Sequence, residues 1–251
     1  MKITILGSGT SNGVPQIGCP CEVCTSADPK DKRLRCSSMV EVGGKRILFD
    51  CSPDFREQML RIDFKPLDAV LITHEHYDHF DPVSISKIMN GDSAVIAPES
   101  MKKKLLKELA VNESQCVFCL PKTTHELTPI LVETVPAYNN IKPFHTKSSK
   151  WLGYIVTMDD ISYYIAGDTD ANEDVKKVSC DVALIPIGGH YTMDKKQAAE
   201  LICSMKPKAV IPTHYGEVVG KPKDGLDFME MVNHADGNIL VELKMGTVLL
   251  S

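Results

Sequence analysis

The stretch His74-Glu-His-Tyr-Asp-His79 decides the fold of this chain. At the positions His-x-His-x-Asp-His it places three imidazoles and the carboxylate of Asp78 within six residues, directly after the apolar run Val70-Leu-Ile-Thr73. An extended or turning segment of this kind can direct its first two histidines at one ion and its last two polar residues at another. Imidazole and carboxylate suit zinc, manganese or iron. A histidine-rich surface loop is the alternative, but the position after a buried-type strand favours a metal site.

Two more polar residues follow apolar runs farther along the chain. Asp168 comes after Tyr164-Ile-Ala166, and His214 comes after Val210-Ile-Pro-Thr213. Many short β-branched runs with helical patterns between them predict a layered α/β protein with mixed sheets. Because functional residues commonly gather in the loops at strand ends, these residues are candidates for one shared site. Gly43-Gly44 predicts a hairpin.

The bulk properties exclude several classes of protein. The chain has 251 residues and a net charge of −5, and its apolar runs fall far short of the roughly 20 residues of a membrane span. Its first residues read as a strand rather than a signal peptide, so we expect a cytoplasmic protein and no membrane. The absence of a basic tract argues against extended nucleic-acid binding, but a small phosphorylated substrate stays compatible. The sequence is compatible with a homodimer.

These motifs resemble the metallo-β-lactamase-fold superfamily, whose signature is His-x-His-x-Asp-His. The resemblance covers essentially the whole chain, because the later motifs come in the expected order: Asp50 after Ile47-Leu-Phe49, His145 in Pro-Phe-His-Thr, Asp168 in Ala-Gly-Asp-Thr and His214 in Pro-Thr-His-Tyr-Gly. It implies an α/β fold, a four-layer αββα sandwich of two mixed β-sheets. It also implies that residues 1–251 form a single hydrolase domain.

The resemblance further implies two divalent ions, zinc or manganese, with a hydroxide bridging them. The ligands of the first ion would be His74, His76 and His145. The ligands of the second ion would be Asp78, His79 and His214, with Asp168 shared by both. Asp50 would orient the metal-binding loop.

Two cations lower the pKa of a shared water and stabilise the charge that develops on the attacked group. Protein groups are then needed mainly to position the substrate and to protonate the leaving oxygen. His190 is our candidate proton donor, because it lies in the glycine-flanked loop Gly188-Gly-His-Tyr-Thr192. Superfamily phosphodiesterases and the tRNA 3′-processing endonuclease carry a histidine at the similar place. We therefore assign catalysis to Asp78 and His190, against the alternative that His190 is a loop histidine without a role.

Cys19, Cys21 and Cys24 form a second candidate metal site, in a loop insertion at about residues 14–36. An odd total of nine cysteines points to thiols or metal ligands rather than disulfides. Three thiolates at this spacing can bind one structural zinc, which would pin a loop of little hydrophobic content. Three unliganded thiols are the alternative.

The N-terminal part, with Gly7–Pro15, Gly18–Cys24 and Ser52-Pro-Asp-Phe-Arg56, resembles the phosphoribosyl 1,2-cyclic phosphate phosphodiesterases. That group carries an extra zinc on a Cys-x-Cys-x2-Cys cluster. Its histidine ligand three residues after the last active-site histidine is Glu217 here. Either the fourth ligand is Glu217, Cys36, Cys51 or water, or the site is weakened.

From about His74 onward, motifs such as Tyr77-Asp-His-Phe-Asp-Pro82 and Ala166-Gly-Asp-Thr-Asp170 resemble the UlaG-type group, which includes the L-ascorbate 6-phosphate lactonase. The leading interpretation is a dinuclear phosphodiesterase acting on a small cyclic or nucleotide-like phosphodiester. Its alternatives are a lactonase and a non-catalytic metal-binding module. Four residues of the loop after the first strand could donate hydrogen bonds to phosphate oxygens, unless the loop is only a turn: Ser8, Thr10, Ser11 and Asn12.

Overall fold

The computed structural model describes residues 2–63, 65–128, 130–216, 219–221, 223–243 and 246–249. These residues form two seven-stranded β-sheets with helices between the strands. Among them, no helix has the length and apolar content that crossing a membrane requires. The segment predicted as an insertion lies between the first two strands and contains one short helix.

The first sheet has the strand order β14-β1-β2-β3-β4-β5-β6. Its strands are β1 Lys2–Gly7, β2 Ser37–Val42, β3 Lys45–Phe49, β4 Ala69–Leu71, β5 Ala94–Pro98, β6 Cys116–Cys119 and β14 Gly246–Leu249. Neighbours from β14 to β3 run antiparallel, and neighbours from β3 to β6 run parallel. The hairpin predicted at Gly43-Gly44 is confirmed, because β2 and β3 pair antiparallel on either side of it.

The second sheet has the strand order β13-β12-β11-β10-β9-β8-β7. Its strands are β7 Thr124–Leu127, β8 Ile130–Pro136, β9 Leu152–Met158, β10 Ile161–Ile165, β11 Val182–Pro186, β12 Ala209–Thr213 and β13 Leu240–Val241. Neighbours from β7 to β10 run antiparallel, and those from β10 to β13 run parallel. Both sheets are therefore mixed, and in each of them an antiparallel half adjoins a parallel half.

The α-helices of the described residues are α1 Glu22–Thr25, α2 Phe55–Leu60, α3 Pro82–Ile88, α4 Lys102–Glu108, α5 Lys195–Met205 and α6 Asp224–Ala235. All but α1, which packs within the loop between β1 and β2, cover the outer faces of the sheets. Short 3-10 turns lie at Pro29–Asp31, Glu99–Met101, Glu113–Gln115, Lys147–Ser149 and Val175–Lys177. Asp194 caps α5, because its carboxylate accepts hydrogen bonds from the backbone N–H groups of Lys196 and Gln197.

Three apolar clusters separate the layers. Phe49 and Leu71 of the first sheet pack with Tyr154 and Leu184 of the second, between the sheets. A second cluster lies outside the first sheet, under α2, α3 and α4, and a third lies outside the second sheet, under α5 and α6. Burial of each large apolar side chain contributes about 1.5–3 kcal/mol. The predicted four-layer αββα sandwich is confirmed.

Polar loops follow five strands whose carboxyl ends lie at one edge of the sandwich. Asp50 follows β3 and His214 follows β12 directly, while the His74 and Asp168 segments follow β4 and β10 after two intervening residues. His190 lies in the loop between β11 and α5. Parallel neighbours within each sheet direct these ends the same way. The fold therefore assembles the polar residues where sheets commonly carry a site.

Candidate metal centre

The predicted ligands lie in two groups. The first group contains His74, His76, His145 and Asp168, and the second contains Asp78, His79 and His214. Within each group the ligand atoms lie within 4.8 Å of one another, and every residue except His76 is buried. The structure therefore brings together all seven residues that the sequence nominated.

The carboxylate of Asp168 lies between the groups. Its Oδ2 is 3.3 Å from the Nε2 atoms of both His145 and His214, and 4.0 Å from that of His74. Its Oδ1 is 3.4 Å from Nε2 of His79. One carboxylate thus faces imidazoles of both groups, which is the arrangement that a shared ligand requires.

Buried imidazole nitrogens test whether metal ions fit this site. The Nε2 atoms of His74, His79 and His145 are buried and have no hydrogen-bond partner among the described residues. Leaving a buried polar atom unsatisfied costs about 1–3 kcal/mol, so such atoms need an explanation. Because each of these nitrogens faces the Asp168 carboxylate, metal coordination explains all three, and the donor set suits divalent ions.

Asp50 holds the metal-binding segment in place. It accepts hydrogen bonds from the backbone N–H and the hydroxyl of Thr73, each at 2.8 Å, and its Oδ2 is 2.6 Å from Nδ1 of His79. The Thr73 hydroxyl, having donated its only proton to Asp50, accepts from Nδ1 of His74 at 2.9 Å. Both imidazoles therefore keep the proton on Nδ1 and present the Nε2 lone pair to the site.

The electrostatics differ between the two groups. Burial lowers the pKa of His74 well below its usual value. Burial alone would lower the pKa of His79 as well, but the charges of Asp168, Asp50 and Asp78 raise it well above its usual value. Burial would raise the pKa of Asp168, but the charges of His214 and His79 hold it well below its usual value. The carboxylates of the site therefore favour positive charge at the second group, which divalent ions would supply when bound.

Three residues of the site have a left-handed backbone. The φ angles of Asp50, His145 and His214 are 55°, 54° and 56°, a region that non-glycine residues rarely adopt. Such conformations cost about 1–3 kcal/mol each and occur preferentially at functional sites. Here they turn the chain sharply just after β3 and β12 and in the loop between β8 and β9, where the side chains must face inward.

Two glycines allow the loops to approach one another. A Cβ on Gly167, which has a φ of 62°, would lie 2.9 Å from Cβ of Thr73. A Cβ on Gly188 would lie 2.3 Å from the carbonyl oxygen of His214. Any larger residue at these positions would push Asp168 away from the histidine segment, or the His190 loop away from His214.

Two contributors escaped the sequence reasoning. Trp151 is buried, and its ring centroid lies 5.0, 4.8 and 5.4 Å from those of His74, His76 and His145. Asn139 closes the loop that carries His145, because its backbone N–H donates to the carbonyl of His145 at 2.7 Å. Trp151 is the chain's only tryptophan, and this was the one feature of the sequence that could have drawn attention to it. Nothing in the local sequence distinguishes Asn139.

His190 is exposed and lies outside the two ligand groups. Its loop is nevertheless tied to the site, because the backbone N–H of Met193 donates to the carbonyl of Thr169 at 3.0 Å. Its ring contacts the Tyr191 ring edge-on, with centroids 4.5 Å apart. Its role as proton donor stays a prediction.

The candidate phosphate loop contacts the histidine segment. The Tyr77 hydroxyl donates to the carbonyl of Ser11 at 2.6 Å and lies 2.9 Å from Oδ1 of Asn12. Ser8 and Thr10 are buried, whereas Ser11 and Asn12 are half-buried. The loop is therefore adjacent to the site, and its binding of phosphate stays a prediction.

The three predicted thiols also cluster. The Sγ atoms of Cys19, Cys21 and Cys24 lie within 4.8 Å of one another. Among the described residues, neither Cys36 nor Cys51 joins this group. Glu217, the other candidate for the fourth ligand, lies outside the described residues.

Residues 45–215, more than half of the chain, match the family model described as the β-lactamase superfamily domain. A metal-dependent hydrolase of the UPF0173 group from Pyrococcus abyssi is 31% identical over 212 residues, which is 81% of this chain and 91% of that protein. An octanoyltransferase from Porphyromonas gingivalis is 59% identical over 80 residues, but these are 32% of this chain and only 16% of that protein.

Among solved structures, a diphosphatase of the PhnP family is 25% identical, with a TM-score of 0.77 over 100% of this chain and 98% of that one. The family model and the Pyrococcus relative agree with the ligand-bearing fold described above. The chain belongs to the β-lactamase superfamily and is a metal-dependent hydrolase of the metallo-β-lactamase fold.

Proposed function

We propose that this hydrolase is a dinuclear phosphodiesterase acting on a small cyclic or nucleotide-like phosphodiester. The observation that carries the proposal is the position of Asp168, whose two carboxylate oxygens face histidines of both ligand groups. A shared ligand keeps two ions close together, and paired ions about 3.5–4 Å apart are the general arrangement for phosphoryl transfer. Similarity to a diphosphatase supports chemistry at phosphorus.

Each group of the chain has a proposed role in this reaction. Divalent ions, zinc or manganese, would supply water of lowered pKa and would offset negative charge on the attacked phosphorus group. The Asp50 carboxylate holds His79 in the orientation that binding requires. His190 protonates the leaving oxygen, and Ser11 and Asn12 bind the non-bridging phosphate oxygens.

The proposal is tested by assaying zinc- and manganese-loaded protein with bis(p-nitrophenyl) phosphate beside a panel of lactones. We expect hydrolysis of the phosphodiester with saturation kinetics, and little turnover of the lactones. Apo protein prepared with a chelator is the control and should be inactive. Turnover of lactones alone would contradict the proposal.

A carboxyl-ester hydrolase of the lactonase type is the second candidate function. The observation that favours it is the set of motifs from about His74 onward, such as Ala166-Gly-Asp-Thr-Asp170, which resemble the UlaG-type group that includes a lactonase. The same assay panel decides between the candidates, and inactivity of metal-loaded protein on both classes would favour the non-catalytic binding module.

We also propose that the cysteine group binds a third ion, a structural zinc. Cys21→Ser should reduce the metal content from about three ions per chain to about two, because serine is a poor zinc ligand and the active-site groups are untouched. Metal analysis of the purified variant checks this, with Cys116→Ser as the control thiol outside the cluster. Limited proteolysis should cleave the segment near residues 14–36 faster in the variant. An unchanged metal content would contradict the zinc assignment.

A further inference from the structure

Three aromatic rings form a row beside the metal centre. The His190 and Tyr191 rings meet edge-to-face, with centroids 4.5 Å apart and an interplanar angle of 90°. The Tyr191 and Phe144 rings meet in the same way, at 5.0 Å and 82°. Phe144, at the end of this ring row, leaves 47% of its surface exposed.

The ring row is attached to the site at both ends. Phe144 immediately precedes His145, whose Nε2 lies 3.3 Å from the Asp168 carboxylate. Tyr191 immediately follows His190, the proposed proton donor. The row therefore extends from the neighbour of the candidate ligand His145 to His190, the proposed proton donor.

Hydrogen bonds hold the two loops of the ring row together. The Asn139 side-chain amide donates to the carbonyl of Phe144 at 2.9 Å and to that of Tyr191 at 2.6 Å. The Lys142 ammonium group pairs with the buried carboxylate of Asp170 and donates to the carbonyl of Thr192 at 2.5 Å. The backbones that carry the rings are thus held together before any ligand binds, which reduces the entropy lost on binding.

We infer that the ring row is a subsite for a planar aromatic group of the substrate, such as a nucleobase. The inference rests on the proposed function, in which His190, the chain neighbour of Tyr191, protonates the leaving oxygen of the substrate. Covering the half-exposed ring of Phe144 with another ring stabilises the complex, because it buries apolar surface and stacks the two rings. Stacking tolerates any planar group. The substrate class is then a nucleotide-like phosphodiester rather than a plain sugar phosphate.

Equilibrium binding tests this inference without turnover. Calorimetric titration of zinc-loaded protein should show that adenosine 5′-monophosphate binds about tenfold more tightly than ribose 5-phosphate, which lacks the aromatic base. In Phe144→Ala and Phe144→Leu this preference should disappear, while the affinity for ribose 5-phosphate stays the same. Leu240→Ala, which truncates a side chain of similar exposure (49%) in the edge strand β13, should keep the preference.

Two outcomes would overturn the inference. Equal losses of affinity for both ligands in Phe144→Ala would show that Phe144 only supports the His145 loop. Retention of the preference in Phe144→Leu would show that the contact is generically apolar rather than a ring contact.

Failure of the proposed function would look different. Wild-type protein would then prefer the adenosine ligand but hydrolyse no phosphodiester. Phosphodiester hydrolysis without any preference for the ring ligand would sink the ring subsite alone.

Discussion

Asp168→Asn should lower phosphodiester hydrolysis on the order of 10³-fold and should reduce the metal content of the active site. Changes to groups that merely support a metal ligand already cost about 10–100-fold in affinity or activity. Asp168 is more than a support, because its carboxylate faces imidazoles of both ligand groups at 3.3–4.0 Å. The asparagine keeps the shape of the side chain but removes the negative charge that two cations would share.

Metal analysis and kinetics on the same preparation check this expectation. Asp181→Asn is the matched control, since Asp181 is a partly buried carboxylate at the opposite end of β11 and accepts a hydrogen bond from Ser162. It should retain both metal and activity. Thermal unfolding adds an independent readout, because metal should raise the melting temperature of the control but raise that of Asp168→Asn much less. An Asp168→Asn protein with two ions and normal turnover would refute the shared-ligand role.

His190→Ala should reduce kcat by about 10²–10⁴-fold for substrates with a poor leaving group, because no other group is proposed to protonate the leaving oxygen. The loss should be much smaller for p-nitrophenyl esters, whose leaving oxygen departs without a proton. Metal content should not change, since His190 lies outside both ligand groups. The measurement is kcat across a series of phosphodiesters whose leaving groups differ in pKa.

His234→Ala provides the control, because His234 is also an exposed histidine but lies in α6, far along the chain from the ligand loops. It should leave the leaving-group dependence unchanged. If His190→Ala slows all esters by the same factor, the histidine positions the substrate and does not transfer a proton.

Much of the metal centre could be predicted because polar residues that closely follow buried strands are confined to the edge of the sheet. The apolar runs before His74, Asp168 and His214 become β4, β10 and β12, and their carboxyl ends lie at one edge of the sandwich. The resemblance of these motifs, in their order along the chain, to the metallo-β-lactamase-fold superfamily predicted the fold and both ligand groups. Local pattern and site coincide for the ligand segments that follow β4, β10 and β12, whereas His145 lies in the loop between β8 and β9.

The supporting contacts could not be predicted in the same way. Trp151 packs on three imidazoles because β9 lies beside the histidine segment, where the backbone N–H of Leu152 donates to the carbonyl of Thr73. That proximity depends on how one sheet docks on the other, and no sequence period records it. The ring row of Phe144, Tyr191 and His190 likewise joins two loops that are distant in the chain.

Each ligand group draws its residues from both sheets. The first combines the segment after β4 with His145 and Asp168, and the second combines that same segment with His214. Neither half of the polypeptide therefore contains a complete coordination sphere, and a site that joins residues so far apart in sequence forms only after the halves have docked. Metal ions would therefore link the two sheets, and part of their binding free energy would stabilise the docking of one sheet on the other.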